Sequence, residues 1–290
     1  MQRNPKFCLI ALIIAAFGVS VARAQSGYAL GIGVSGDDAG SAALSVFGDY
    51  SFTDATSISA SYSATNADGD PDDLTTRVWT LGVRHDFGPL GIDLRGGQSG
   101  DPDDFDSTDL RIALFRQTDH WTLNAHGSRR DIDLVFQGVN PRLPLTRKAS
   151  LQGDGLGARI AFRTDSGWRL YAGAEVFDYD RDLDLLANAA IIRRLSPTTL
   201  SLSGSLLDQR WSIGIEAPLA KQRALSFDVY RDTQVANLGV VDSAAISWLT
   251  PLADRGDLDV SLGISQSDSL GDDQTAVFLS VLFLFYGGFD

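Results

Sequence analysis

Apolar and polar side chains alternate along most of this chain. From Trp79 the run W-T-L-G-V-R-H-D-F sets Trp79, Leu81 and Val83 on one face and Thr80, Gly82, Arg84 and Asp86 on the other. Leu90, Ile92 and Leu94 alternate with Gly91, Asp93 and Arg95, and Leu156, Ala158, Ile160 and Phe162 with Gly157, Arg159, Ala161 and Arg163. Trp211, Ile213 and Ile215 alternate with Ser212, Gly214 and Glu216, and Leu258, Val260, Leu262 and Ile264 with Asp259, Ser261, Gly263 and Ser265. Successive side chains of a strand point to opposite faces, so a period of two predicts strands. Runs of ~9–11 residues, apolar outward and small or polar inward, fit strands that cross a bilayer.

Short turn signals punctuate the runs: residues 53–56, 88–89, 118–119, 164–167, 196–199, 219–222 and 251–256. Longer polar connections fall at 35–40, 66–74, 98–107, 129–152, 179–183, 207–209, 232–236 and 266–274. Seven turns and eight connections join about 16 strands, within a range of 14–16, and an even number suits a bacterial barrel. Aromatic residues test this layout independently. Tyr28, Tyr50, Phe52, Phe87, Trp121, Phe162, Trp168, Trp248, Phe283 and Phe285 fall at strand ends near the short turns. Tyr62, Trp79, Tyr179 and Trp211 fall near the long connections. Two aromatic girdles at two interfaces are expected of such a barrel, with short turns periplasmic and long loops outside.

The N-terminus changes the picture by adding an export step. Arg3 and Lys6 precede an apolar stretch over 8–21, and Ala22-Arg23-Ala24 ends it with a small-x-small pattern. Residues 1–24 therefore read as a cleavable signal peptide, and 25–290 as one barrel domain. Cys8, the only cysteine, stands at the start of the apolar stretch, which excludes a lipoprotein site and leaves no disulfide or thiolate chemistry in the mature chain. No later run reaches 18 apolar residues, so membrane helices are excluded. Without Arg3, Lys6 and Arg23 the chain keeps 21 basic against 37 acidic residues, a net charge of −16. Such a surface repels phosphate backbones and argues against nucleic acid as a partner.

Over 26–286 the sequence resembles the Gram-negative outer-membrane β-barrel superfamily, a porin-like group. The last predicted strand, 275–286 (TAVFLSVLFLFY), is similar to the C-terminal assembly signal of that group, with Phe283 and Phe285 as alternating aromatics. The chain departs from the pattern by continuing through Gly287-Gly288-Phe289-Asp290. The resemblance implies an all-β, transmembrane, up-and-down antiparallel barrel in the cell outer membrane. Its partners would be membrane lipids, lipopolysaccharide and the barrel-assembly machinery, with homo-oligomers an open option. A soluble β-sandwich would also alternate, but its outward face should be polar.

Candidate chemistry comes in four groups. His126 and Ser128 share a strand face, and their H-x-S pattern resembles part of the motif in outer-membrane phospholipase A and the lipid A deacylases. Arg129 and Arg130 follow where those families place Asn, and alternation turns His126 inward, away from lipid. Gly-Asp-Pro-Asp-Asp occurs at 69–73 and 100–104, so Asp70, Asp72, Asp73, Asp101, Asp103 and Asp104 form acidic outer loops. These are either solvated or able to hold Ca²⁺ or Mg²⁺ through hard oxygen ligands. No histidine metal site and no other cofactor is expected. Residues 129–152 form the one basic loop, with Arg129, Arg130, Arg142, Arg147 and Lys148.

The largest group faces inward. Arg84, Arg95, Arg111, Arg159, Arg163 and Arg169 lie on the fourth to ninth predicted strands, with Asp93 and Glu175 among them. Glu216, Asp228, Asp257 and Asp259 follow on the twelfth to fifteenth. Such charges serve either a stiff internal ion-pair network or a transverse field across a wet pore. A passive channel for small polar solutes is the expected function. The alternatives are a structural or polysaccharide-export barrel, and a lipid hydrolase on His126 and Ser128.

Overall fold

Each alternating run that the structure describes is a strand, and the strands close on themselves. The computed structural model describes residues 27–67, 74–101, 105–136, 147–180, 207–234, 239–269 and 272–288. In chain order the strands are β1 (Gly27–Asp37), β2 (Ser41–Thr53), β3 (Thr56–Ala67), β4 (Leu74–Phe87), β5 (Leu90–Asp101), β6 (Phe105–Gln117) and β7 (Trp121–Phe136). They continue as β8 (Arg147–Arg163), β9 (Arg169–Tyr179), β10 (Leu207–Leu219), β11 (Arg223–Gln234), β12 (Val240–Ala253), β13 (Gly256–Ser269) and β14 (Asp272–Gly288). Every strand is antiparallel to the one before it. β14 returns to β1 with a register from Gly27↔Gly288 to Asp37↔Phe278. Closure pairs every edge, which is the one sheet arrangement that hydrocarbon tolerates.

The outside of the ring is apolar all the way round. All fourteen strands expose large hydrophobic side chains, among them Leu30, Val46, Ile58, Leu81, Leu94, Ile112, Leu123, Leu156, Leu170, Ile213, Phe227, Ile246, Leu262 and Leu279. A soluble sandwich does not carry so continuous an apolar belt. The inside is small and polar over large stretches. Ser243 bonds Ser265 at 2.9 Å and Ser247 bonds Ser261 at 2.7 Å, both cross-strand pairs on the inner face.

Four expectations change. The barrel has 14 strands, the lower end of the expected 14–16. β9 pairs directly with β10, from Gln209↔Val176 to Glu216↔Arg169, which leaves no place in the sheet for two strands between them. The turn at 196–199 and the serines at 201, 203 and 205 lie outside the described residues. The connection expected at 207–209 is instead the start of β10, where its polar Arg210 is satisfied inside the barrel by Asp232.

The basic loop of 129–152 is mostly strand. β7 and β8 stay paired from Trp121↔Phe162 to Phe136↔Arg147, although their outward residues turn polar past Gly127. Gln152 Nε2 donates to Asp131 Oδ1 at 2.6 Å, Ser150 Oγ to Asp133 Oδ1 at 2.6 Å, and Arg129 pairs with Asp154 at 3.5 Å. At 16 and 17 residues these strands outreach the ~9–11 needed to span lipid, so their ends stand clear of it. Tyr179 also leaves the outer girdle. It points inward, stacks on Phe177 at 5.9 Å and donates to the Leu207 carbonyl at 2.6 Å.

Candidate functional site

A cavity of about 1650 Å³ occupies the inside of the ring, from the short-turn end up to the level of His126, Glu175 and Arg210. Beyond it, toward the long connections, the inward side chains Val78, Phe105, Ile132, Leu151, Phe177, Leu207 and Val241 are all buried. Polar neighbours on the same face, Ser107, Asp232 and Ser265, are covered as completely. Among the described residues the interior is thus a chamber at the short-turn end, with the inward side chains of its outer half covered.

Alternation along β4 to β9 brings Arg84, Arg95, Arg111, Arg159, Arg163 and Arg169 to the inner face, and all but Arg163 line the chamber. Arg163 stands at the short-turn end of β8, opposite Arg169 in the register. Glu216, Asp228, Asp257 and Asp259 project inward from β10, β11 and β13.

Many of these charges are cancelled where they stand. Arg84 meets Asp86 at 3.0 Å and lies 3.9 Å over the Phe115 ring. Arg95 meets Asp93 at 2.7 Å, and Arg169 meets Glu216 at 3.8 Å. Arg210 grips Asp232 with two hydrogen bonds of 2.7 and 2.5 Å. Arg130 meets Asp109 at 2.5 Å and lies 4.3 Å over Phe177.

What is left over lies on several strands. Among the described residues Arg111 and Arg159 make no ion pair, and they sit on β6 and β8. Asp228, Asp257 and Asp259 make no ion pair there either; they sit buried on β11 and β13, whereas Asp49 on β2 lines the chamber. Asp228 accepts from Tyr171 and, at 3.4 Å, from Ser226, while Asp257 accepts from Tyr286 at 3.4 Å. Asp259 keeps a buried oxygen with no hydrogen-bond partner. β6 and β13 are seven places apart in a ring of fourteen, but β8 and β11 only three, and Tyr171 both lies under Arg159 and donates to Asp228.

His126 stands against Arg111. Arg111 donates from Nη2 to His126 Nδ1 at 2.8 Å, and His126 Nε2 donates to Glu175 Oε1 at 3.0 Å. Ser128 Oγ approaches the same carboxylate oxygen at 3.5 Å. Both ring nitrogens are therefore engaged elsewhere, and the imidazole does not take up the serine hydroxyl. Gly157 makes this packing possible, because a Cβ there would fall 2.2 Å from the His126 ring. Gly214 does the same beneath Tyr171 and Asp228, which would lie 2.4 and 2.5 Å from its Cβ.

Of the acidic-loop candidates, Asp101 alone is described. It faces inward and accepts the Thr75 amide at 3.1 Å. Asp70, Asp72, Asp73, Asp103 and Asp104 lie outside the described residues. Phe283 and Phe285 face outward near the end of β14, and Phe289 is not among the described residues. Sequence reading missed Asp109, Arg130, Tyr171, Arg210 and Asp232. Parity points to all five, since Asp109 shares the face of Arg111, Arg130 that of His126, Tyr171 that of Arg169, Arg210 that of Glu216 and Asp232 that of Asp228.

No protein-family model matches the sequence, and neither does any curated protein. Solved structures do match the fold. The CymD monoaromatic hydrocarbon channel superposes with a TM-score of 0.57 at 8% identity, covering 92% of this chain and 90% of that one. Outer-membrane expressed OmpT of Vibrio cholerae gives 0.53 at 8% identity, over 90% and 97%. The chain has the fold of these outer-membrane β-barrels. A loop-deletion form of the Vibrio cholerae protein agrees, at 0.51 and 8% identity over 92% of this barrel and all of that one. At such identity the likeness carries the architecture and nothing of the residues inside.

Proposed function

We propose that this outer-membrane barrel is a passive channel for small polar solutes. One observation carries the reading: Arg111 and Arg159, which make no ion pair among the described residues, line a chamber of about 1650 Å³ inside the ring. An ion pair is a dipole whose field fades quickly, whereas separated charges act across a wet lumen. A ring of 14 strands is also wider than its small inward side chains fill, unlike an eight-stranded barrel.

The covered outer half supports a second reading, in which the barrel is structural and its ion pairs stiffen it. Electrical recording from refolded protein in a planar bilayer separates the two, since a structural barrel passes no current. The hydrolase alternative on His126 and Ser128 requires lipase activity from the same preparation. Lipopolysaccharide and other outer-membrane lipids against the apolar belt, and the assembly machinery at β14, are the partners this reading takes.

A further inference from the structure

We propose that Arg111 and Arg159 form a subsite for a small oxyanion, a carboxylate or a phosphate, in the wall of the chamber. Its part in transport rests on the channel reading, but its binding does not.

The case begins with how Arg111 is held. Arginine can only donate, so His126 Nδ1 must be an acceptor and the ring proton must sit on Nε2, where it is given to Glu175. The imidazole in contact with the guanidinium is therefore neutral. A carboxylate in that place would orient Arg111 equally well and cancel its charge. A neutral imidazole orients it without direct ion pairing, and the nearest countercharge, Glu175, stands on the far side of the ring.

Arg159 is held by a different device with the same result. Its guanidinium lies 4.9 Å over the Tyr171 ring, a contact that fixes its plane without neutralising it. Its Nε is buried and has no acceptor. The two arginines are two strands apart, with Asn124 and His126 of β7 between them, and all four residues line the chamber. Glu175 and Asp93 attract the Arg111 guanidinium, while Arg95 and Arg159 repel it. Each presents a planar fork of donors that matches a carboxylate or phosphate. An oxyanion in the chamber beside them relieves the repulsion and gives a charged acceptor to donors that have none.

Titration calorimetry of the refolded barrel in detergent at low ionic strength tests this, with inorganic phosphate and acetate as probes. Binding of either is expected, and the tighter one names the preferred head group. Arg111→Gln and Arg159→Gln should each weaken it about tenfold or more, the loss expected when hydrogen bonds to a charged group are removed. Arg129→Gln, on the outer face, should change nothing. His126→Gln should keep the affinity, because its amide can accept from Arg111 and donate to Glu175, whereas His126→Glu should abolish it by neutralising Arg111. Absence of binding by the unaltered protein, or affinity indifferent to both arginine substitutions, overturns the subsite. Where His126→Glu does not fold, His126→Gln and Arg159→Gln still decide. Binding without conductance overturns the channel reading and leaves the subsite standing.

Discussion

His126 Nε2 stands 3.0 Å from Glu175 Oε1, and this one contact fixes which way the imidazole faces Arg111. With the proton committed to Glu175, Nδ1 is free to accept, and Arg111 is positioned by a group that carries no charge. Arg210 shows the contrast, since Asp232 both positions and neutralises it. The chamber thus holds two kinds of arginine, and only the first kind acts on a solute at a distance.

Gly157→Ala tests that distinction without touching a charge. The new methyl would collide with the His126 ring, so the imidazole must swing away and release Arg111. We expect a folded, heat-modifiable barrel whose reversal potential moves toward cations, in the direction of the Arg111→Gln shift and smaller. A reversal potential equal to that of the unaltered protein means that His126 does not position Arg111.

The two faces of the strands should respond oppositely to charge. Leu81 points to lipid from the middle of β4, and Leu81→Arg should cost about 2–4 kcal/mol of folding stability. Ser51 lines the chamber, and Ser51→Arg should stay within about 0.5 kcal/mol. Urea titration of the refolded barrel in vesicles measures both, and equal costs contradict the assigned faces.

The ring of fourteen strands makes a covalent prediction. Ala172 and Ile213 are direct partners across β9 and β10. Cysteines at both positions should oxidise to a disulfide, because paired Cα atoms lie ~4.5–5.5 Å apart and a disulfide spans ~4.4–6.8 Å. Two further strands between β9 and β10 would separate them by about 14 Å, three strand spacings, and no crosslink could form.

Processing is expected after Ala24. N-terminal sequencing of the membrane-inserted protein should read from Gln25, and a chain that still begins at Met1 contradicts the signal-peptide reading.

The architecture was legible because lipid enforces it. Leu81, Val83, Leu262 and Ile264 must face hydrocarbon, so a strict period of two survives in the sequence and gives both the strands and their inward faces. Where lipid no longer acts the signal fades. Past Gly127 the outward positions Arg129, Asp131 and Asp133 are polar while Ile132 turns inward and is buried, so the apolar-outward period is lost although the ladder to β8 continues. Asp208, Gln209 and Arg210 misled for a related reason, since the partner that makes Arg210 tolerable, Asp232, lies on the next strand. The pairing inside the barrel was legible only within a strand. Parity sets Arg84 beside Asp86 and Arg95 beside Asp93, but only the register shows that Arg111 meets His126 on the next strand.

Single-channel recording under a salt gradient decides whether these arginines act on permeating ions, comparing the unaltered barrel with Arg111→Gln/Arg159→Gln. Ohmic channels are expected, with a reversal potential that shifts toward cations in the double variant, as the chamber then keeps its carboxylates and loses two unpaired cations. The shift should grow as salt is lowered, because at ~0.1 M screening already confines such fields to ~10 Å. Correctly inserted protein that conducts at no salt concentration, or a reversal potential identical in both proteins, would contradict this account.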